Sequence, residues 1–215
     1  GGSTFDAVWT GARVSIALAL ICAAINMTVG IIVGALWGYS KRADKFMLEL
    51  YNIVGNIPYQ LLCSVLVLIF RPKFWTMVFA LTITGWLPIA HCFRTQVLII
   101  RDREYNLASR CLGTPSSKII AKNILPQLIS VVMLQTALAI PDAIGSEVFL
   151  TYIGLGLPVS IPSLGNLINE GRIVMMSASS RYQIIFPSIV LSAITISFYV
   201  IGNSFSDAAD PKNHV

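Results

Sequence analysis

Few side chains in this 215-residue chain stand ready to do chemistry, and most of them are embedded in apolar runs. They are two carboxylic acids, Asp142 and Glu147, the imidazole of His91, the guanidinium of Arg94, and the amides Asn26, Asn52, Asn56 and Gln60. An ionisable group at membrane depth is by default part of a substrate or ion path. Asp142 and Glu147 lie near the expected outer end of their run, which weakens that default. His91 reads either as a proton carrier or as a hydrogen-bonded structural residue. Asn26 reads as an interhelical hydrogen bond or a ligand contact. Asn52, Asn56 and Gln60 flank Gly55 and Pro58, so they mark either a packing kink or a broken helix that lines a cavity. No Gly-x-x-x-x-Gly-Lys-Ser/Thr loop, nucleophile elbow or Cys/His metal spacing accompanies them. The expectation is a chain that is not an enzyme, with no metal and no cofactor of its own. Cys22, Cys63, Cys92 and Cys111 are expected to be packing residues.

The elements that position these groups follow from composition. Hydrophobic residues make up 55% of the chain and charged residues 12%, against about 25% charged in ordinary soluble domains. This is the composition of an all-α integral membrane protein. The net charge of +5 sits in short loops between apolar runs, so it indicates orientation and not nucleic acid. Spans that each need about 20 residues are expected at 14–39, 46–70, 74–100, 125–144 and 183–205. Gly30, Gly34 and Gly38 form a small-xxx-small ridge on the first, where another helix can approach closely. The second and third spans are broken, at Gly55–Pro58 and at Gly85–Pro88. Arg94 is expected to snorkel to the interface. A polar extracytoplasmic segment is expected at 156–182, with turn signals at Pro158, Pro162 and Gly165.

Between the third and fourth spans lies a polar, basic stretch, 101–124, whose residues call for two short helices and a tight turn. Gly113 suits the left-handed position that ends a helix. Thr114 offers an N-cap hydroxyl, and Pro115 fits the first helical position, as Pro126 does for the next helix. The first short helix carries Tyr105, Ala108 and Leu112 on one side, with Leu107 and Cys111 beside them. Two turns cannot bury those groups alone, so the loop reads as a partly apolar knob offered to a partner. Lys and Arg are more numerous in the first loop, this loop and the tail than in the other loops, which places the central loop and the C-terminus in the cytoplasm. With five spans Gly1 then lies outside, and a sixth span is expected before it.

The central loop resembles the "EAA" loop of ABC-importer permease subunits, whose pattern is Glu-Ala-Ala, three residues, Gly, nine residues, then x-x-Leu-Pro. Leu107-Ala108-Ser109 stands at Glu-Ala-Ala, Gly113 at the glycine and Leu125-Pro126 at the end. Leu107, Ser109 and Asn123 depart from the general pattern, Asn123 standing where Ile is usual. The stretch Arg103-Glu104-Tyr105-Asn-Leu-Ala108-Ser109-Arg110-Cys-Leu112-Gly113 is similar to the oligopeptide and dipeptide branch, which commonly reads Arg-Glu-Tyr-x-x-Ala-(Ala/Ser)-Arg-x-Leu-Gly. Gly11-Ala-Arg-Val-Ser15 looks like that branch's Gly-Ala-Arg-x-Ser opening to a span. Phe149 to Pro158 looks like its Phe-x-Gly-Leu-Gly segment, and Asp207-Ala-Ala-Asp-Pro211 like its tail. The wording matches the C-type subunits, including the Ami type.

The resemblance implies a type I ABC importer transmembrane domain whose first span is absent here, in a multi-pass protein of the cell membrane. It implies a transmembrane permease subunit of an ATP-driven oligopeptide or dipeptide importer. The implied partners are a homologous second permease, two ABC ATPase subunits that hold ATP and Mg, an extracytoplasmic peptide-binding protein, the peptide and the lipid bilayer, with no nucleic acid. Arg103, Glu104, Tyr105, Leu107, Ala108, Ser109, Arg110, Gly113, Thr114, Pro115 and Pro126 would form the ATPase-coupling loop. Asn52, Asn56, Gln60, Asp142 and Glu147 are the candidates for the translocation path or its gate, Glu147 having a structural cap at a helix end as its other reading. A nickel or modified-peptide importer of the same family is an alternative substrate reading. An ion-coupled secondary transporter is the rival class; it needs inverted repeats or mid-membrane carboxylates, and no internal repeat is found.

Overall fold

The computed structural model describes residues 3–209. Its axis is α1, Thr4–Tyr39, opened by Ser3, whose Oγ accepts from the Phe5 N–H at 3.3 Å. The helix starts well before the apolar run at 14 because no glycine pair or proline interrupts Thr4–Arg13 after that cap. At 36 residues it is about 54 Å long, enough to cross a hydrocarbon layer of about 30 Å and emerge from it.

Ser40 ends α1 and caps α2, Lys41–Gly55, accepting from the Ala43 N–H at 3.4 Å. Pro58 has no N–H and disfavours helical geometry in Ile57, so the chain bends by 75° between α2 and α3, Tyr59–Phe70. A tight loop leads to α4, Phe74–Thr82, and after a break at 83–85 to α5, Trp86–Arg101. Next come α6, Glu104–Cys111, and α7, Ser116–Ile119. A five-residue π turn, Ile120–Ile124, and a 3-10 turn, Leu125–Leu128, join α7 to α8, Ile129–Tyr152. Pro126 explains this distortion, since it cannot donate to Lys122 and the ladder shifts around it. α9, Leu164–Val174, and α10, Tyr182–Ala209, complete the described chain. Asp210 and Pro211 of the tail motif lie outside the described residues.

Among the described residues four helical stretches are long and apolar enough to span a membrane, and the bent α2–α3 pair makes five where it is counted as one span. α1 packs against α5 and α8, and α10 lies along α8 and α9. The glycine ridge is the α1–α5 seam. A Cβ on Gly34 would stand 2.5 Å from the Ala90 carbonyl oxygen and 2.7 Å from Phe93 Cβ. One on Gly38 would stand 2.7 Å from the Arg94 oxygen. One core, around Leu18, Cys22, Met77 and Ile144, fills the end away from the central loop. A second, around Phe93, Val97, Ile124 and Leu128, fills the loop end. α10 keeps Ile185, Ile189, Ile196 and Val200 exposed, as a lipid-facing helix does.

Three local expectations change. Cys22 and Cys63 are core residues and Cys92 is half-buried, but Cys111 is exposed on α6. Arg94 does not snorkel: Asp44, in the first turn of α2, accepts from both Nε and Nη2, and the guanidinium lies 5.5 Å from the Trp37 ring. Pro115, with ψ 144°, is the N-cap of α7 without a side-chain cap bond, and Ser116 is its first residue. The extended ψ of Pro115 moves the start one residue along and leaves Thr114 in the turn.

Candidate functional site

The loop between α5 and α8 is built from its buried polar side outward. Arg103 precedes α6, and Glu104 stands in its first turn, where the helix dipole favours an acid. Asn106 faces inward and is wholly buried. Its Nδ2 donates to the Ile100 carbonyl at 2.9 Å, and its Oδ1 accepts from Asn123 Nδ2 at 3.1 Å. The same Asn123 group reaches Ser109 Oγ at 3.3 Å. Ser109 and Asn123, two departures from the general loop pattern, are therefore partners: one amide bridges α6 to the π turn. Gln127 Nε2 adds a bond to the Tyr105 hydroxyl at 2.7 Å.

Arg110 fixes the other edge. Its Nη2 donates to the Arg101 carbonyl at 2.9 Å, its Nη1 lies 3.6 Å from Asp102, and its guanidinium sits 5.0 Å from the Tyr39 ring. Arg101 donates to the Gly38 carbonyl at 2.9 Å and to Asp102 at 3.1 Å. That bond from Arg101 holds the Asp102 carboxyl below the usual carboxylate range. The loop is thus tied to the end of α1. Gly113 ends α6 with φ 77°; its N–H donates to the Arg110 carbonyl at 2.9 Å and the Thr114 N–H to Ser109 at 3.1 Å. This is the paired closure that a left-handed glycine permits. The inner face is hydrogen-bonded apart from Arg110 Nε, which is buried without a partner, and the loop exposes Tyr105, Leu107, Ala108, Cys111 and Leu112, the last at 85%. Pro126 is also exposed. Among the described residues the side chains of Arg103 and Glu104 have no ion pair.

A second concavity, of about 700 Å³, opens between α1, α3, α4, α5 and α8. Gln60 and Asp142 line it together with Asn26, Tyr59 and Gln135. Asn52 and Asn56 do not; both are exposed, Asn52 on α2 and Asn56 at its C-cap, where Asn56 Nδ2 donates to the Asn52 carbonyl at 2.7 Å. His91 stacks on Tyr51, ring centroids 4.4 Å apart, and stands edge-on to Trp37.

Glu147 also stays outside the cavity wall. α8 runs past the apolar run that ends near 144, because Pro141 removes only one N–H and the helix continues to Tyr152. Glu147 is therefore inside the helix and wholly buried. Its carboxyl accepts from the hydroxyls of Ser163 at 2.8 Å, Thr151 at 3.1 Å and Ser15 at 3.3 Å. Ser15 Oγ in turn accepts from the Leu164 N–H at 3.0 Å. The Gly11–Ser15 motif of α1 thus meets the segment after α8. A Cβ on Gly165 would stand 2.7 Å from the Glu147 carboxyl, and one on Gly11 3.0 Å from the Ser163 carbonyl carbon. Gly154, φ 84°, turns the chain after α8. Asn166 Nδ2 holds the returning loop through the carbonyls of Leu157, Pro158 and Ile161.

Sequence reasoning missed Asn106, Arg101, Ser15 and Ser163. Asn106 had a signal, a polar residue on the face of α6 opposite Tyr105 and Leu112. Ser15 closes the Gly11–Ser15 motif, but its partner is 132 residues away; Ser163 had no signal.

The family described as "Binding-protein-dependent transport system inner membrane component" matches residues 26–215. The chain is similar to the oligopeptide transport system permease protein AmiD of Streptococcus pneumoniae, 44% identical over 100% of this chain and 69% of the relative. It is 35% identical to the dipeptide transport system permease protein DppC of Bacillus subtilis, covering 99% of this chain and 66% of that one. The oligopeptide transport system permease protein OppC of Bacillus subtilis is 34% identical over 99% of this chain and 69% of its own length. A solved structure of the MetNI methionine ABC transporter in inward-facing conformations superposes with a TM-score of 0.73, at 16% identity, over 93% of this chain and 96% of that one. That likeness carries the fold alone.

Proposed function

The chain belongs to the binding-protein-dependent transport system inner membrane component family, and from that premise we propose that it is the permease subunit of an ATP-driven importer of oligopeptides or dipeptides. It forms half of a translocation path in the cell membrane, and a homologous second permease forms the other half. The observation that carries this reading is the central loop: a partly apolar, solvent-exposed α6 on a base where Asn106, Ser109, Arg110 and Asn123 all make hydrogen bonds. A lone soluble connector needs neither the exposed Leu112 nor so rigid a support.

In this reading the loop and the C-terminus face the cytoplasm. Tyr105, Leu107, Ala108 and Leu112 seat in a groove of one of two ATPase subunits. Ala108 and Ser109 are small enough for a groove wall to approach the backbone. Gly113, Thr114 and Pro115 make the turn, and Pro126 lets the following helix bend. Arg103 and Glu104 stand exposed at the start of α6 to meet charged groups of the ATPase. ATP and Mg are held by those subunits and not by this chain. Closure of the ATPases pulls α6, and the Arg101–Gly38 and Arg110–Arg101 bonds pass that pull to α1 and α5, which rock as rigid bodies. An extracytoplasmic binding protein delivers peptide to the cavity at Gln60 and Asp142. Purification of the full-length protein in mild detergent tests this: a second permease and two ATPases should accompany it, and the complex should import peptide into vesicles on ATP. A chain that purifies stably alone would overturn the proposal.

A further inference from the structure

The cavity between α1, α3, α4, α5 and α8 has one-sided chemistry. Asp142 is the only Asp, Glu, Lys, Arg or His among its lining residues, so nothing there balances its charge. Among the described residues its carboxyl has neither hydrogen bond nor ion pair, whereas Glu147, five residues on, is held by three hydroxyls. Asp142 is exposed to the cavity from α8, a helix long and apolar enough to span a membrane, and a carboxyl that opens into such a cavity without a protein partner points to a passing cation or substrate.

The amides beside it are turned the same way. The break between α4 and α5 frees the Leu81 carbonyl, and two wall donors converge on it: the Tyr59 hydroxyl at 2.8 Å and Asn26 Nδ2 at 3.4 Å. Gln60 Nε2 donates to Ser146 Oγ at 3.2 Å, and Gln135 Nε2 to Cys92 Sγ at 3.5 Å. Four wall donors are thereby engaged within the protein. Asn26 Oδ1 and Gln60 Oε1 are buried and accept nothing. Two uncompensated oxygen dipoles in a low-dielectric wall add negative potential to that of Asp142.

We infer that this cavity receives the ammonium group of a transported peptide, with Asp142 as its counter-charge and the Asn26 and Gln60 oxygens supporting it. The inference rests on the peptide-importer reading and names the charged group of the substrate that this subunit takes. The ammonium is either the peptide's N-terminus or a lysine side chain; the chemistry is shared. A volume of about 700 Å³ is within the range of ligand pockets.

The test uses the full importer in vesicles. Cys92 lines the cavity and is a natural reporter. Its modification by trimethylammonioethyl methanethiosulfonate should outpace that by sulfonatoethyl methanethiosulfonate by roughly tenfold, relative to the same ratio at exposed Cys111. Asp142→Asn should abolish the preference and Asp142→Glu should keep it. Uptake of Ala-Ala-Ala and Ala-Lys-Ala should both fall by roughly tenfold in Asp142→Asn if the N-terminus is read; a fall confined to Ala-Lys-Ala assigns the site to side chains. Charge-blind labelling of Cys92, or undiminished uptake of both peptides by Asp142→Asn, would overturn the inference. Failure of the peptide reading looks different: the unaltered complex imports neither peptide although Cys92 still prefers the cationic reagent.

Discussion

The hydroxyl of Ser163 donates to the carboxyl of Glu147 at 2.8 Å, joining α8 to the residue that caps α9. Ser15 brings α1 to the same carboxyl. Three elements therefore meet on one buried acid at the end of the bundle away from the central loop. Glu147→Ala strands the hydroxyls of Ser15 and Ser163, while Thr151 keeps its bond to the residue 147 carbonyl, and should lower stability by about 3 kcal/mol, read as an earlier unfolding midpoint in detergent. Glu147→Gln keeps the shape and one acceptor, so uptake should stay near wild type while the midpoint falls slightly. Lost uptake at an unchanged midpoint would move Glu147 into the path.

The Ser109–Asn123 bridge makes a graded prediction. Asn123→Ala leaves the buried Asn106 Oδ1 without its donor and should cost about 1–3 kcal/mol. Ser109→Ala removes a partly exposed acceptor and should cost about 0.5–1 kcal/mol. A double-mutant cycle followed by thermal unfolding should give a coupling of about 0.5 kcal/mol or more. Strict additivity would mean that the bridge does not form.

How much of this was legible depends on range. The end of α6 at Gly113 follows from local backbone preference, and the glycine has positive φ. The close approach at Gly30, Gly34 and Gly38 was also readable, since small residues one turn apart can serve little else in lipid. The continuation of α8 past Ile144 was not, because hydropathy falls at Gly145-Ser146-Glu147 while the helix persists. What sustains it is tertiary: Glu147 finds its partners 132 and 16 residues away. The cavity was half legible. Gln60 and Asp142 were singled out as polar within apolar runs, but Asn26 and Gln135 join them only once α1, α5 and α8 are packed.

The glycine seam predicts a contrast. Gly34→Ala places a methyl against the Ala90 carbonyl and Phe93, where neither backbone nor ring can withdraw freely. A loss of about 1–3 kcal/mol is expected. Gly55→Ala meets nothing within 4 Å and should leave the midpoint unchanged or raise it slightly. Equal effects at both positions would argue against a tight α1–α5 seam.

The exposed face of α6 predicts an attachment defect. Leu112 is 85% exposed, so Leu112→Glu should leave folding unaffected to within about 0.5 kcal/mol. Burying that charge in an ATPase groove should nonetheless weaken co-purification of the ATPase. An unaltered ATPase yield would place Leu112 outside the contact.

Gly113→Val tests the coupling role most directly. Valine strains the left-handed turn at φ 77°, while a Cβ there meets no neighbour within 4 Å, so the distortion stays in the loop. The measurement is peptide uptake per ATP hydrolysed by the full complex in vesicles. The variant should insert, assemble and hydrolyse ATP while importing little peptide. Uptake per ATP equal to that of the unaltered complex would contradict it.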